Sequence, residues 1–279
     1  MVINWFPGHM TKALRTMQAE IKNIDCVIYV LDSRAPIACL NPEFDNLIGS
    51  KPVLVVFNKM DMCDRSKIPI IKTYIKKYFK TKIEILELNS TLSGALKTVL
   101  AKINTLCKEK IERNEQKGLN TFIKAMVIGV PNSGKSTLVN NLCGKAKAKT
   151  GNKAGITRGK QWVTVSQNIQ ILDTPGTLYP SLTNEKSARY LAYLGSIKDE
   201  VLDTNELAVL FIKDMIKQYP NALQTRYGIE LQGEPYENLE QIAKSKKFVL
   251  KGGDIDYDRT CIMILDDFRK TRMGNITLN

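Results

Sequence analysis

The chain has 279 residues, 43% hydrophobic and 25% charged, which fits one full-sized globular domain plus a smaller one and excludes a mainly disordered or fibrous protein. Its net charge of +13 favours polyanionic partners, and the surplus is uneven: 27 Lys and Arg face 13 Asp and Glu up to residue 180, against 14 and 15 beyond it. The six cysteines form no C-x-x-C pair, which argues against a zinc site or disulfide framework. Residues 1–7 lack a basic stretch followed by an apolar one, and no apolar run approaches about 20 residues, so a cytoplasmic protein without membrane contact is expected.

After the turn at Pro7 and Gly8, the residues Met10, Leu14, Met17 and Ile21 recur at steps of four and three, which predicts a helix over 9–22. The apolar runs 26–31 and 53–57 are too short for helices and rich in β-branched residues, and they read as strands buried on both faces. Helical patterns follow near 65–79 and 92–113, with a third strand at 83–88 between them. The charged stretch 108–117 reads as a solvated helix end and connector. Further strands are expected at 125–130, 161–165 and 169–172. This alternation predicts an α/β fold with a mostly parallel sheet flanked by helices. Beyond Pro180, periodic apolar positions in 188–197, 207–216 and 262–268 predict a small all-α domain, with Asp256 as the N-cap of its last helix. The expected division is 1–180 and 181–279.

Residues 129–136 match G-x-x-x-x-G-K-[ST] through Gly129, Gly134, Lys135 and Ser136, directly after a predicted strand and opening a helix through Leu138, Val139 and Leu142. A phosphate-binding loop needs glycines so that backbone N–H groups can close around the β-phosphate. Asn132, Ser133 and Thr137 belong to the same expected cradle, Lys135 would bridge the β- and γ-phosphates, and Ser136 would ligate Mg²⁺. A chance match in a chain of this length is roughly a one-in-a-hundred event.

Asn58, Lys59, Met60 and Asp61 follow the strand 53–57, where strand-end loops of a parallel sheet carry ligands. A carboxylate at Asp61 can accept both N–H groups of a guanine edge. Adenine would leave it desolvated and unpaired, a mismatch worth on the order of 10⁴ to 10⁵ in discrimination at polar sites. Lys59 can pack its stem along the base, and Asn58 can tie this loop to the phosphate loop. Asn89 and Ser90, after the strand 83–88, are placed to contact the base through backbone N–H; an ordinary loop is the alternative.

Asp173 and Gly176 form a D-x-x-G after the strand 169–172, weak alone but placed to hold Mg²⁺ through water and to contact the γ-phosphate. Thr157 is the expected switch threonine, a Mg²⁺ ligand when the γ-phosphate is present. The motifs therefore run base reader, second base loop, phosphate loop, switch threonine, D-x-x-G, a rotation of the usual GTPase order that a parallel sheet tolerates. The cluster Lys145, Lys147, Lys149, Lys153, Arg158 and Lys160 flanks Thr157 and is expected to contact a phosphate backbone, with solvated surface as the plain alternative.

With its opening Trp5, Phe6, Pro7, Gly8, His9 and Met10, its permuted motif order and the segment Gly155, Ile156 and Thr157, the chain resembles the bacterial ribosome biogenesis GTPase A family over nearly its whole length. The resemblance implies a circularly permuted GTPase domain and a helical, RNA-contacting C-terminal domain. It implies GTP and GDP as ligands, rRNA and a large-subunit precursor as partners, and a monomer away from the ribosome. Asn132 resembles the phosphate-loop asparagine with which similar GTPases hold K⁺. The position of the usual water-orienting Gln carries Thr177, where the family has an aliphatic residue. His9, the single histidine, is a candidate to orient the attacking water; a structural or RNA-contacting role is the alternative. A GTP-dependent RNA tether with incidental hydrolysis competes with the enzyme reading, and a small-molecule kinase is disfavoured by Asp61.

Overall fold

Runs of apolar residues too short for helices become the centre of a single sheet. The computed structural model describes residues 5–92, 94–119, 121–143, 161–179, 182 and 184–278. Its strands are β1 (Cys26–Asp32), β2 (Val53–Asn58), β3 (Ile83–Glu87), β4 (Ile123–Ile128), β5 (Gln161–Ser166) and β6 (Ile169–Asp173), in the order β3-β2-β1-β4-β6-β5. All neighbours are parallel except the β5–β6 hairpin. All six expected strands are present, and the sheet is mostly parallel as the βα alternation required.

Side chains alternate across β1, so Val27, Tyr29 and Leu31 join one apolar cluster while Cys26, Ile28 and Val30 join the other. The second face is covered by α4 (Ala95–Leu106) and α6 (Lys135–Cys143), through Val99, Ile103, Leu138 and Val139. The first face is covered by α1 (Gly8–Glu20), α2 (Pro42–Ile48) and α3 (Ile68–Tyr78). From there the same cluster continues without interruption into α7 (Glu185–Tyr193), α8 (Thr204–Gln218) and α11 (Tyr257–Arg269). Tyr193 meets Phe211 edge to face and Phe211 meets Phe268 at a tilt, each at a centroid distance of 5.1 Å, and the guanidinium of Arg34 lies 5.4 Å from the Phe268 ring.

Four elements depart from the sequence reading. The helix α2 was not expected; Asn41 caps it by accepting from Glu43 N, and Pro42 opens it, a short start signal without a long apolar period behind it. Residues 108–117 form a helix of their own, α5 (Lys108–Gln116), broken from α4 at Cys107, in place of a connector. Two unexpected helices, α9 (Pro220–Tyr227) and α10 (Pro235–Ser245), lie in the C-terminal part, each opened by a proline. Asp256 caps α11, accepting from Arg259 N, as expected. Among the described residues no helix is long and apolar enough to cross a membrane.

The last described residues return to the segments that follow the carboxyl ends of β1 and β2. Leu278 N donates to Arg34 O at 2.7 Å, Thr277 Oγ1 donates to Ser33 O at 3.1 Å, and Asp64 N donates to Thr277 Oγ1 at 3.0 Å.

Candidate functional site

The carboxyl ends of β1, β2, β3, β4 and β6 point to one edge of the sheet, and every nucleotide motif within the described residues lies there. Asn58, the last residue of β2, is 1% exposed and bridges two loops: its Nδ2 donates to Ser133 O at 2.8 Å, and its Oδ1 accepts from Ser90 N at 3.0 Å. Lys59 follows in a left-handed conformation, φ 60°, and its ammonium donates to Asn132 O at 2.6 Å. Asp61, two residues further on, is exposed. Asn89 uses its side chain locally, accepting from Thr91 N at 2.9 Å, while Ser90 is buried and its carbonyl accepts from Asn141 Nδ2 at 3.2 Å.

The phosphate loop joins β4 to α6. Gly129 and Gly134 hold φ of 150° and 97°, and Asn132 between them holds 60°. A side chain at Gly129 would overlap the Val30 carbonyl, and one at Gly134 would overlap the Asn58 amide, so both glycines are required by their neighbours. Lys135 is 5% exposed, with its ammonium 2.8 Å from Val130 O. Burial brings its pKa down to about 8, although Asp173 pulls in the other direction. Gly176 packs against the same loop: a Cβ there would stand 2.7 Å from Pro131 Cα and 2.8 Å from Lys135 Nζ. The D-x-x-G turn is further fixed by Thr174 Oγ1, which donates to Val127 O at 2.6 Å.

Ser136 Oγ donates to Asp173 Oδ2 at 3.3 Å, and Asp173 Oδ1 is buried without a hydrogen-bond partner. Burial raises the Asp173 carboxyl above its ordinary range despite Lys135 nearby. A hydroxyl and one carboxylate converging at a phosphate site suit Mg²⁺, which keeps several waters and shares its remaining ligands with phosphate oxygens. The Asp173 carboxylate and the Ser136 hydroxyl are hard oxygen donors, a set that fits Mg²⁺. Thr157 and the basic residues Lys145, Lys147, Lys149, Lys153, Arg158 and Lys160 lie outside the described residues. Thr137 stands in the first turn of α6, partly buried.

His9 is exposed near the start of α1. Its neighbour Met10 is fully buried, with its Sδ 3.5 Å from Leu178 N, so the start of α1 adjoins the segment after Gly176. Partial burial and then the charge of Lys198 hold the His9 pKa below its ordinary value, favouring neutral imidazole. Thr177 is fully buried with its hydroxyl unpaired, and its N–H faces Gly129 O at 3.4 Å.

Sequence reasoning passed over several residues that shape this edge. Asp32 and Arg34, at the end of β1, are 1% and 3% exposed. The Asp32 carboxylate takes Arg34 Nη2 at 2.7 Å and the Lys59 ammonium at 2.6 Å. Burial alone would lift its pKa, but Arg34 and Lys59 outweigh burial and hold it well below the usual carboxylate range. From the helical part, Ser196 Oγ donates to Pro131 O at 2.8 Å, and Asn132 Nδ2 donates to Gly195 O at 2.5 Å. The phosphate loop is thus held from behind by the turn after α7. An acidic-basic pair ending a buried strand was the available signal for Asp32 and Arg34; nothing local marked Gly195 or Ser196.

A sequence model of the 50S ribosome-binding GTPase family matches residues 124–249, beginning at β4 and so leaving the upstream loop 58–61 outside the match. Ribosome biogenesis GTPase A of Bacillus cereus is 39% identical over 280 residues, covering 99% of this chain and 93% of its own length. The protein of the same name from Bacillus licheniformis is 36% identical, covering 99% and 98%. Mitochondrial ribosome-associated GTPase 1 of Xenopus tropicalis is 31% identical, covering 100% and 94%. In fold, the chain is similar to GDP-bound TM YlqF, with a TM-score of 0.66 at 23% identity over 95% of this chain and 98% of the other. GNP-bound YlqF from T. maritima superposes with a TM-score of 0.65 at the same identity, covering 95% and 97%.

Proposed function

The chain belongs to the ribosome biogenesis GTPase A family, and from that premise we infer that it binds and hydrolyses GTP as an assembly factor of the large ribosomal subunit, alternating between an rRNA-bound and a released state. The observation that carries this reading is the pair of hydrogen bonds made by Asn58, which joins the base-reading loop to Ser133 of the phosphate loop and to Ser90 of the second base loop. One side chain joins three sequence-distant segments, which supports their serving one nucleotide.

In this reading Asp61 accepts the guanine N–H groups, Asn89 and Ser90 flank the base, and the N–H groups of Asn132, Ser133, Gly134, Lys135, Ser136 and Thr137 surround the phosphates. Lys135 and Gly176 meet the γ-phosphate. Ser136, Asp173 and Thr157 would hold Mg²⁺, which when bound neutralises charge on the phosphate oxygens. K⁺ beside the phosphates, taken by Asn132, belongs to the same proposal and would add positive charge where the transition state needs it. His9 is the candidate to orient water. The contact of the adjacent Met10 with Leu178 and the lowered pKa of His9 support that role.

Lys145, Lys147, Lys149, Lys153, Arg158 and Lys160 form the proposed rRNA contact, next to the switch threonine, so that γ-phosphate loss changes the RNA-facing segment. Residues 1–180 are the nucleotide domain and 181–279 the helical domain of this reading, with the chain monomeric in the cytoplasm when off the particle.

The test is GTP turnover with and without large-subunit precursor particles and K⁺. Slow turnover alone, raised by each addition, supports the reading; full rate with neither present overturns it. A second reading, a GTP-dependent RNA tether, is favoured by the buried, unpaired Thr177 in the place of a water-orienting Gln. GTP-dependent particle binding without any rise in turnover would select it.

A further inference from the structure

Lys59 is held from two sides. Its ammonium donates to Asn132 O of the phosphate loop at 2.6 Å and to Asp32 Oδ2 at 2.6 Å. Its backbone is left-handed, a conformation that an L-residue with a long side chain keeps only where its surroundings impose it. Of the two holds, Asp32 is the stronger, because carboxylate and ammonium form a charge-assisted bond out of water.

Asp32 is itself immobilised. Its Oδ1 accepts from Arg34 N at 3.1 Å and Arg34 Nε at 3.0 Å, and its Oδ2 accepts from Arg34 Nη2 at 2.7 Å. Arg34 in turn donates through Nη1 to Arg269 O at 2.9 Å, at the end of α11, and stacks on Phe268. Arg269 closes the path by donating to Tyr193 O and Ala192 O, at 3.0 Å each, near the turn whose Gly195 receives Asn132. The carboxylate that pins Lys59 is therefore fixed on the sheet and the helical part, independently of the loop it holds.

Resting on the reading of residues 58–61 as the base loop, we propose that Asp32 is a positioning residue for guanine recognition: it fixes the Lys59 ammonium, and with it the loop that presents Asp61 to the base. Asp32 touches no nucleotide. Its effect passes through Lys59, so removing it loosens the contacts that distinguish guanine and leaves in place the phosphate contacts that every nucleotide shares.

The experiment measures the affinities of fluorescently labelled GDP and ADP for the full chain and for Asp32→Asn. Wild type should prefer GDP. In the variant GDP affinity should fall by about tenfold or more, and the preference for GDP over ADP should fall with it, the scale of one charge-assisted bond lost. A structural role alone would lower the melting temperature and leave the ratio of the two affinities unmoved; an unmoved ratio overturns the proposal. If wild type shows no preference, the reading of the base loop itself fails, a distinct outcome. Asp32→Glu keeps the charge but displaces it by one methylene, which guards against a variant that does not fold. Its preference should fall by about threefold or more, between wild type and Asp32→Asn. A wild-type ratio in Asp32→Glu also overturns the proposal. Both ratios are read from the folded fraction alone.

Discussion

The side-chain amide of Asn58 occupies the space that a methyl group on Gly134 would need. The residue that ties the base loop to the phosphate loop and the glycine that lets the phosphate loop turn are thus fitted to each other, although 75 positions separate Asn58 from its Ser133 acceptor.

Gly134→Ala should damage both. At φ 97° an alanine is strained by about 1–3 kcal/mol, and its methyl group would push Asn58 off Ser133 and Ser90. GDP affinity should drop at least tenfold (about 1.4 kcal/mol) with a lowered melting temperature, measured by nucleotide titration and thermal unfolding. The same change at Gly49, φ 56° with open space around its Cβ, should leave GDP affinity at wild type.

Nucleotide affinity should depend on pH through Lys135. Its pKa is about 8 without nucleotide, and phosphates beside it will raise that value. Because the bound state has the higher pKa, the contribution is complete below the nucleotide-free value and is lost as pH rises above it. GDP affinity should be flat to about pH 7 and decline beyond about pH 8, by up to roughly tenfold per unit. In Lys135→Gln that decline should vanish from an already weakened baseline, as isothermal titration across this range would show.

Thr177→Val should be tolerated or stabilising by up to about 1 kcal/mol, since the buried hydroxyl it removes has no partner. Particle-stimulated turnover should stay at wild type, which would end any role for this hydroxyl in orienting water. His9→Ala, by contrast, should retain GTP affinity and lose stimulated turnover by about 10² or more.

Ser196→Ala removes the bond to Pro131 O and should cost about 1 kcal/mol, or some 2–3 °C in melting temperature. Nucleotide binding should offset part of this loss, because ligand stabilises the loop that Ser196 supports. Calorimetry with and without GDP would show whether the two melting shifts differ.

Much of this molecule is visible in its sequence because its signals are local. β1 and β2 announce themselves as continuous apolar runs, and the phosphate loop carries its glycines at fixed spacing. The helices α2, α9 and α10 lacked a long apolar period, and their prolines marked starts that were easily taken for loops. Glu234 and Glu237 form a capping box at the head of α10, but a glutamate in the N-cap place lies outside the Ser/Thr pattern that marks such a start in sequence. Asp32 and Arg34 are different in kind. Nothing near them in the chain says that one will hold Lys59 and the other the end of α11, because those partners arrive from 27 and 235 positions away.

That distance has a consequence for how the molecule is made. Thr277 fastens Ser33 and Asp64 across 244 and 213 positions, so the ends of β1 and the base loop emerge long before the residues that secure them. At about 5–20 residues per second, the growing chain carries an unfastened base loop for roughly 10–50 s. The sheet and the phosphate loop can therefore form while the segment after the base loop still lacks the bonds that Thr277 supplies.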